Sequence, residues 1–139
     1  AKPLLERHGG IPAAPEPPSP AERTARGESL CREIYGRHYE KLVDTMRAFS
    51  PDLAAWMILE GYGKTLSRPA LTPVERETGV LAILTVTRMW RQLRSHTIGT
   101  VNVGGTRAIA RAAIEAARPW AGDDCIREAL DTTGLAEAT

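Results

Sequence analysis

Residues 72–105 read TPVERETGVLAILTVTRMWRQLRSHTIGTVNVGG, and the architecture follows from their spacing. Thr72-Pro73-Val74-Glu75 is a helix start. The Thr72 hydroxyl can accept from the amide three residues on, while Glu75 reaches back to the Thr72 amide. This capping box predicts a helix running to about Arg88. Its Val80, Leu81, Leu84 and Val86 leave it almost wholly apolar, which predicts a central position. A second helix is predicted from about Trp90 to Val103, closed by Gly104-Gly105, where left-handed backbone costs little.

The same periodicity extends on both sides. Leu30, Ile34, Tyr35 and His38 recur at helical spacing, broken by Gly36, and Tyr39, Leu42, Val43, Met46 and Phe49 form a second segment. Ser50-Pro51-Asp52 predicts another start, with Leu53, Trp56, Met57 and Leu59 following until Gly61 and Gly63 loosen the end. Thr106 predicts a cap for a helix through Ala117, stopped by Pro119, and Asp123-Asp124 open a short last one to Thr133. Strand-like alternation of useful length is absent. The expectation is an all-α bundle of six or seven helices over residues 21–139. Residues 1–20 hold six of the ten prolines and a Gly9-Gly10 pair, so an extended arm precedes the bundle. Leu4, Leu5 and Ile11 would anchor such an arm on a neighbouring subunit.

Composition narrows the function classes. With 139 residues, 42% hydrophobic and 25% charged, the chain is one globular domain and not a disordered segment. Eighteen basic residues against seventeen acidic ones leave a net charge of +1, too little field to hold a phosphate backbone. No apolar run approaches the ~20 residues of a membrane span, and no secretory pattern occurs, so nucleic acid and membrane are not expected partners and a cytoplasmic location is. Cys31 and Cys125 form no C-x-x-C, which argues against a zinc site or local dithiol and for reduced, half-buried thiols. Arginine outnumbers lysine fifteen to three, a bias of GC-rich bacterial genomes.

The chemistry concentrates on the two central helices. Met89, Gln92, His96 and Thr100 fall on one stripe, and Glu77, Leu81, Leu84 and Arg88 on another. Antiparallel pairing of these helices would bring Glu77 alongside His96. A carboxylate bonded to imidazole fixes the ring's tautomer and makes it a proton shuttle. Read without that pairing, Glu77 is a first-turn acid favoured by the helix dipole, with Arg76 its solvated neighbour.

Residues 62–77, YGKTLSRPALTPVERE, together with Leu93-Arg94-Ser95-His96, Gly99, Asn102 and Gly104, resemble the carboxymuconolactone decarboxylase family. The shared features are an aromatic-Gly pair, Arg-Pro-x-Leu, an arginine opening the central helix, and a histidine followed by Gly at +3, Asn at +6 and Gly at +8. Trp120-Ala121-Gly122 matches an aromatic-x-Gly, and residues 26–36 resemble the family's first helix. The similarity spans about residues 21–133.

The resemblance implies an alkyl hydroperoxidase D-like helical fold, assembled as a trimer or hexamer with pockets near subunit contacts. Its redox branch carries C-x-x-C seven and four residues before the histidine and a glutamate nineteen before it. Those positions are Met89, Gln92 and Glu77, so dithiol peroxide reduction is not expected. Its decarboxylase branch needs no cofactor or metal. By that resemblance Arg68 would hold a substrate carboxylate and His96 would move the proton, with Glu77 replacing the carboxylate that the family commonly has where Gln92 stands. Gln92 would orient substrate, Arg88 is a further cation, and Tyr62 and Thr100 are candidate substrate contacts, although Tyr62, like Trp120, also reads as a core filler with a polar tip. The expected function is a lyase or isomerase acting on a small carboxylated or enolisable lactone or ring, including natural-product tailoring. The alternatives are an oligomeric small-molecule-binding protein of the same fold, or a redox helper using Cys31 or Cys125.

Overall fold

A computed structural model describes residues 18–136. The described chain is all-α, and the arm proposed for residues 1–20 lies almost wholly outside it. Helix α1 is Pro20–Tyr35, opened by a capping box in which Ser19 and Glu22 bond reciprocally. Gly36 stops it at φ 51°, a left-handed value that suits glycine, and a 3₁₀ turn at Gly36–His38 leads into α2, Tyr39–Phe49. Helix α3 begins at Pro51–Trp56 under a Ser50 cap and continues as a π-helix over Met57–Leu66. Helices α4 (Pro73–Val86) and α5 (Trp90–Asn102) follow, then α6 (Arg107–Ala116), the single turn α7 (Arg118–Ala121) and α8 (Asp123–Thr133). Seven helices longer than one turn are described, and the caps at Ser50, Thr72 and Thr106 lie where the sequence predicts them.

Gly61 and Gly63 do not loosen α3; the helix runs through them. A Cβ on Gly63 would sit 2.0 Å from the Arg23 carbonyl oxygen, and one on Gly27 would sit 2.2 Å from that of Ile58. The two glycines let the α1 and α3 backbones touch. Arg26 completes the junction by donating to the Gly63 carbonyl at 3.2 Å.

Two hydrophobic clusters result. Leu30, Cys31, Ile34, Tyr39, Val43, Ile58 and Tyr62 join α1, α2 and α3. Leu81, Leu93, Ala110, Ile114, Ile126 and Leu130 lead the second, from α4, α5, α6 and α8. Helix α4 is less enclosed than its composition predicts. Only Glu77, Leu81 and Thr85 are buried along it, while Ile83 is 64% and Val86 43% exposed. An all-apolar helix signals burial without saying by what, and in this chain one face of α4 is left uncovered.

Candidate active site

The polar groups that matter lie at the seam between the two clusters. Glu77 stands one turn into α4, and His96 lies midway along α5. His96 Nδ1 meets Glu77 Oε2 at 2.9 Å, with Glu77 only 1% exposed. The antiparallel pairing therefore brings the expected couple together. The other ring nitrogen, Nε2, meets the Tyr35 hydroxyl at 3.3 Å, and Tyr62 donates its hydroxyl to Tyr35 at 3.1 Å. A carboxylate only accepts, so Nδ1 donates to Glu77, and in the neutral ring that leaves Nε2 as the acceptor. Tyr35 accepts from Tyr62, and its own proton goes to the accepting Nε2 of that neutral ring. The resulting order is Tyr62 to Tyr35 to His96 to Glu77, and it bridges α3, α1, α5 and α4. Tyr35 also stands edge-on to both the Tyr62 and the His96 rings.

Local packing explains how this geometry is held. A Cβ on Gly99 would fall 2.7 Å from Ile34 Cγ2 and 3.3 Å from Glu77 Oε2, so only glycine allows α1 and Glu77 to close on α5 there. Asn102 donates to the Ile34 carbonyl at 2.8 Å, clamping the end of α1, and Tyr35 with it, to the end of α5. Glu77 Oε1 is buried without a hydrogen-bond partner among the described residues. A buried carboxylate bonded to a single imidazole is costly, and structures tend to retain such groups where chemistry requires them.

Several predicted residues stand elsewhere. The buried stripe of α4 is Glu77, Leu81 and Thr85, so Leu84 and Arg88 are off it. Arg88 has φ 56°, shapes the turn between α4 and α5, and pairs with Glu128 at 3.4 Å, away from the couple. On α5 the buried stripe is Leu93, His96, Thr97, Gly99 and Thr100, leaving Met89 and Gln92 exposed. Gln92 is one turn before His96 and makes no contact with the couple that the structure shows. Thr100 is fully buried and spends its hydroxyl on the His96 carbonyl at 2.8 Å, so it supports the helix and is not a substrate contact. Tyr62 is buried and used by Tyr35. Arg68 is exposed and takes no part in the hydrogen-bonded chain; its carbonyl and that of Pro69 receive the guanidinium of Arg76. Arg76 is therefore a half-buried clamp on the 67–72 loop and not a solvated neighbour. Tyr35 is the group missed. It was legible as a helical position, but no local spacing connects it to a histidine 61 residues away.

Both cysteines are free and buried, more so than the half-buried expectation. Burial pushes the Cys31 thiol from 9.0 up to about 12, opposed in part by the Tyr62 hydroxyl and by Arg32. The Cys125 thiol donates to the Thr85 carbonyl at 3.3 Å. A thiol reagent at pH 8 is expected to find no fast-reacting cysteine in the native protein, with both titrating once denaturant is added. One rapid equivalent in the native state would contradict this.

Tyr35 and Tyr62 are also raised, chiefly by burial, with the Tyr62 hydroxyl lowering Tyr35 in part. Groups raised on folding hold their protons longer in the native state. Above pH 9 the unfolded chain therefore binds fewer protons, and stability must fall as pH rises. This contribution is whole below pH 9 and is lost as pH climbs towards 12 and beyond. Unfolding free energies from denaturant titrations are expected to drop above pH 9, by at most about 1.4 kcal/mol per pH unit for each such group, and the midpoints with them. The slope should lessen in Cys31→Ala. A midpoint constant to pH 11 would show that these protons are not held by the fold.

A groove of about 340 Å³ between α1, α2 and α3 is lined by Arg32, Tyr39, Glu40 and Arg47 among others, and includes none of the four chain members. The two less covered members of the chain are Tyr35, half-buried, and His96, 9% exposed. Among the described residues no three His, Cys, Asp or Glu side chains gather as a metal site, and no helix is long and apolar enough to cross a membrane.

No family model matches the chain. It is similar to Peroxisomal protein 2 of Schizosaccharomyces pombe (strain 972 / ATCC 24843), at 31% identity over 83 residues. That alignment covers 59% of this chain and 39% of the relative, so the chain spans about two-fifths of that protein's length.

Proposed function

We propose that this chain is a cofactor-free lyase or isomerase of the carboxymuconolactone decarboxylase kind. It moves a proton on a small carboxylated or enolisable lactone or ring. The observation that carries this reading is the buried Glu77 carboxylate bonded to His96 Nδ1 at 2.9 Å, with the far side of the ring set to receive a proton. In a decarboxylation the bond to the carboxylate carbon breaks, carbon dioxide leaves, and its electron pair enters the conjugated carbonyl as an enolate. The site then returns a proton to carbon. Glu77 stabilises the imidazolium formed whenever His96 gains that proton. Arg68 and Gln92 are the exposed groups that would meet the substrate's carboxylate and carbonyl.

The uncovered apolar positions Ile83, Val86, Ile98 and Val101, 43–64% exposed on the faces opposite the Glu77 and His96 stripes, support a homo-oligomer, a trimer or hexamer. Light scattering should then give three or six chain masses. A monomer at micromolar concentration would overturn that assembly. We place the reaction in the cytoplasm. The relative's name gives that protein a compartment, and no reaction.

The test is incubation with small carboxylated lactones and dicarboxylates in deuterated water. Carbon dioxide release or deuterium uptake at carbon should occur in the parent protein and fall at least 10²-fold in His96→Gln. Ligands that raise the melting temperature without any turnover or exchange would instead identify a binding protein of this fold.

A further inference from the structure

His96 has no free nitrogen. Nδ1 is held by Glu77 and Nε2 by the Tyr35 hydroxyl, so a substrate proton bound for the ring meets Tyr35 first. The chain contains three tyrosines. Tyr39 and Tyr62 are 4% and 6% exposed, whereas Tyr35 is half-buried, the most open of the three. The Tyr35 oxygen sits between a base that can take its proton and the Tyr62 hydroxyl that donates to it. That is the arrangement of an activated hydroxyl: as the proton leaves for the base, the second donor steadies the charge gathering on oxygen.

We propose that Tyr35 Oη is the reacting atom of the site, activated by the His96–Glu77 couple and steadied by Tyr62. It is the group that exchanges protons with the enolisable carbon. This rests on the acid–base reading above and specifies which atom touches the substrate. The step balances. As the substrate C–H bond breaks, its proton passes to Tyr35 Oη and its electron pair stays on the substrate as enolate. In the same movement the Tyr35 proton passes to His96 Nε2. Reversal returns a proton to carbon. No free tyrosinate accumulates, which suits a hydroxyl that burial keeps protonated.

A probe that needs no knowledge of the substrate tests this: benzenesulfonyl fluoride at neutral pH, with the modified residue located by peptide mass spectrometry. Tyr35 Oη attacks sulfur, the S–F bond breaks, fluoride leaves and His96 takes the hydroxyl proton. The expected result is labelling at Tyr35, with Tyr39 and Tyr62 untouched. It should be slowed at least tenfold in Glu77→Gln and in His96→Gln variants whose circular dichroism matches the parent, and be absent in Tyr35→Phe. Labelling on His96 itself, or Tyr35 labelling that Glu77→Gln leaves unchanged, would overturn the proposal. The two readings fail separately. If no lactone is turned over but Tyr35 labelling depends on His96, the substrate class is wrong and the activated hydroxyl stands. If turnover is found and Tyr35→Phe retains kcat within threefold, Tyr35 is not the reacting group and the broader couple stands.

Discussion

Replacing Glu77 by glutamine is expected to cut turnover by roughly 10²- to 10⁴-fold while leaving stability within about 1 kcal/mol of the parent, or above it. The two halves of this expectation have separate causes. The rate falls because the amide cannot stabilise an imidazolium, and because an amide can present its oxygen or its NH₂ to Nδ1 and so no longer enforces one tautomer. Stability is spared because a neutral amide of the same shape costs less to bury than a carboxylate with one partner and an unpaired Oε1. Steady-state kinetics and a denaturant titration on the same preparation measure both. A variant that loses about 3 kcal/mol or more and keeps its rate would make the carboxylate a structural device. Its job would then be to pin α4 to α5 and nothing else.

Removing the partner has a different signature. His96→Ala strands a charge that is 1% exposed, so that variant is expected to lose stability as well as rate. His96→Gln is the better probe of chemistry, since it fills the space and can still donate to Glu77 Oε2.

The division between what the sequence disclosed and what it concealed follows the range of the interactions. Helix starts were legible because caps are local: Thr72 and Glu75 bond across three residues, and Thr106 reaches the Ile109 amide in the same way. The Glu77–His96 couple was legible because one short turn joins the helices that carry it. Tyr35 was hidden, since its bond to His96 crosses between two separately packed halves and leaves no period behind. Arg88 was misread for a backbone reason: a residue at φ 56° is shaping a turn, and an apolar stripe cannot announce that. Arg76 was misread as a solvated neighbour, because only the path of the 67–72 loop brings the Arg68 and Pro69 carbonyls to its guanidinium. The apolar count of α4 was read as a central position, and this chain encloses only the face that carries Glu77, Leu81 and Thr85.

The glycines of α3 allow the sharpest test of the fold, because two of them only two residues apart are expected to respond with opposite signs. Gly63→Ala is expected to lose about 3 kcal/mol or more. The added Cβ would lie 2.0 Å from the Arg23 oxygen and 2.7 Å from its carbonyl carbon, and both are backbone atoms that no rotamer change can move. Helix α1 must then back away from α3. That separation would pull the Tyr35 hydroxyl from Tyr62, so residual activity should fall with stability. Gly61→Ala meets nothing within 4 Å, lies in helical backbone, and should gain about 0.5–1 kcal/mol through the smaller entropy of its unfolded chain. Urea midpoints for the two variants measure the contrast directly. Equal effects would mean that α1 and α3 do not touch at Gly63, and the seam that brings Tyr35 to His96 would have to be drawn differently.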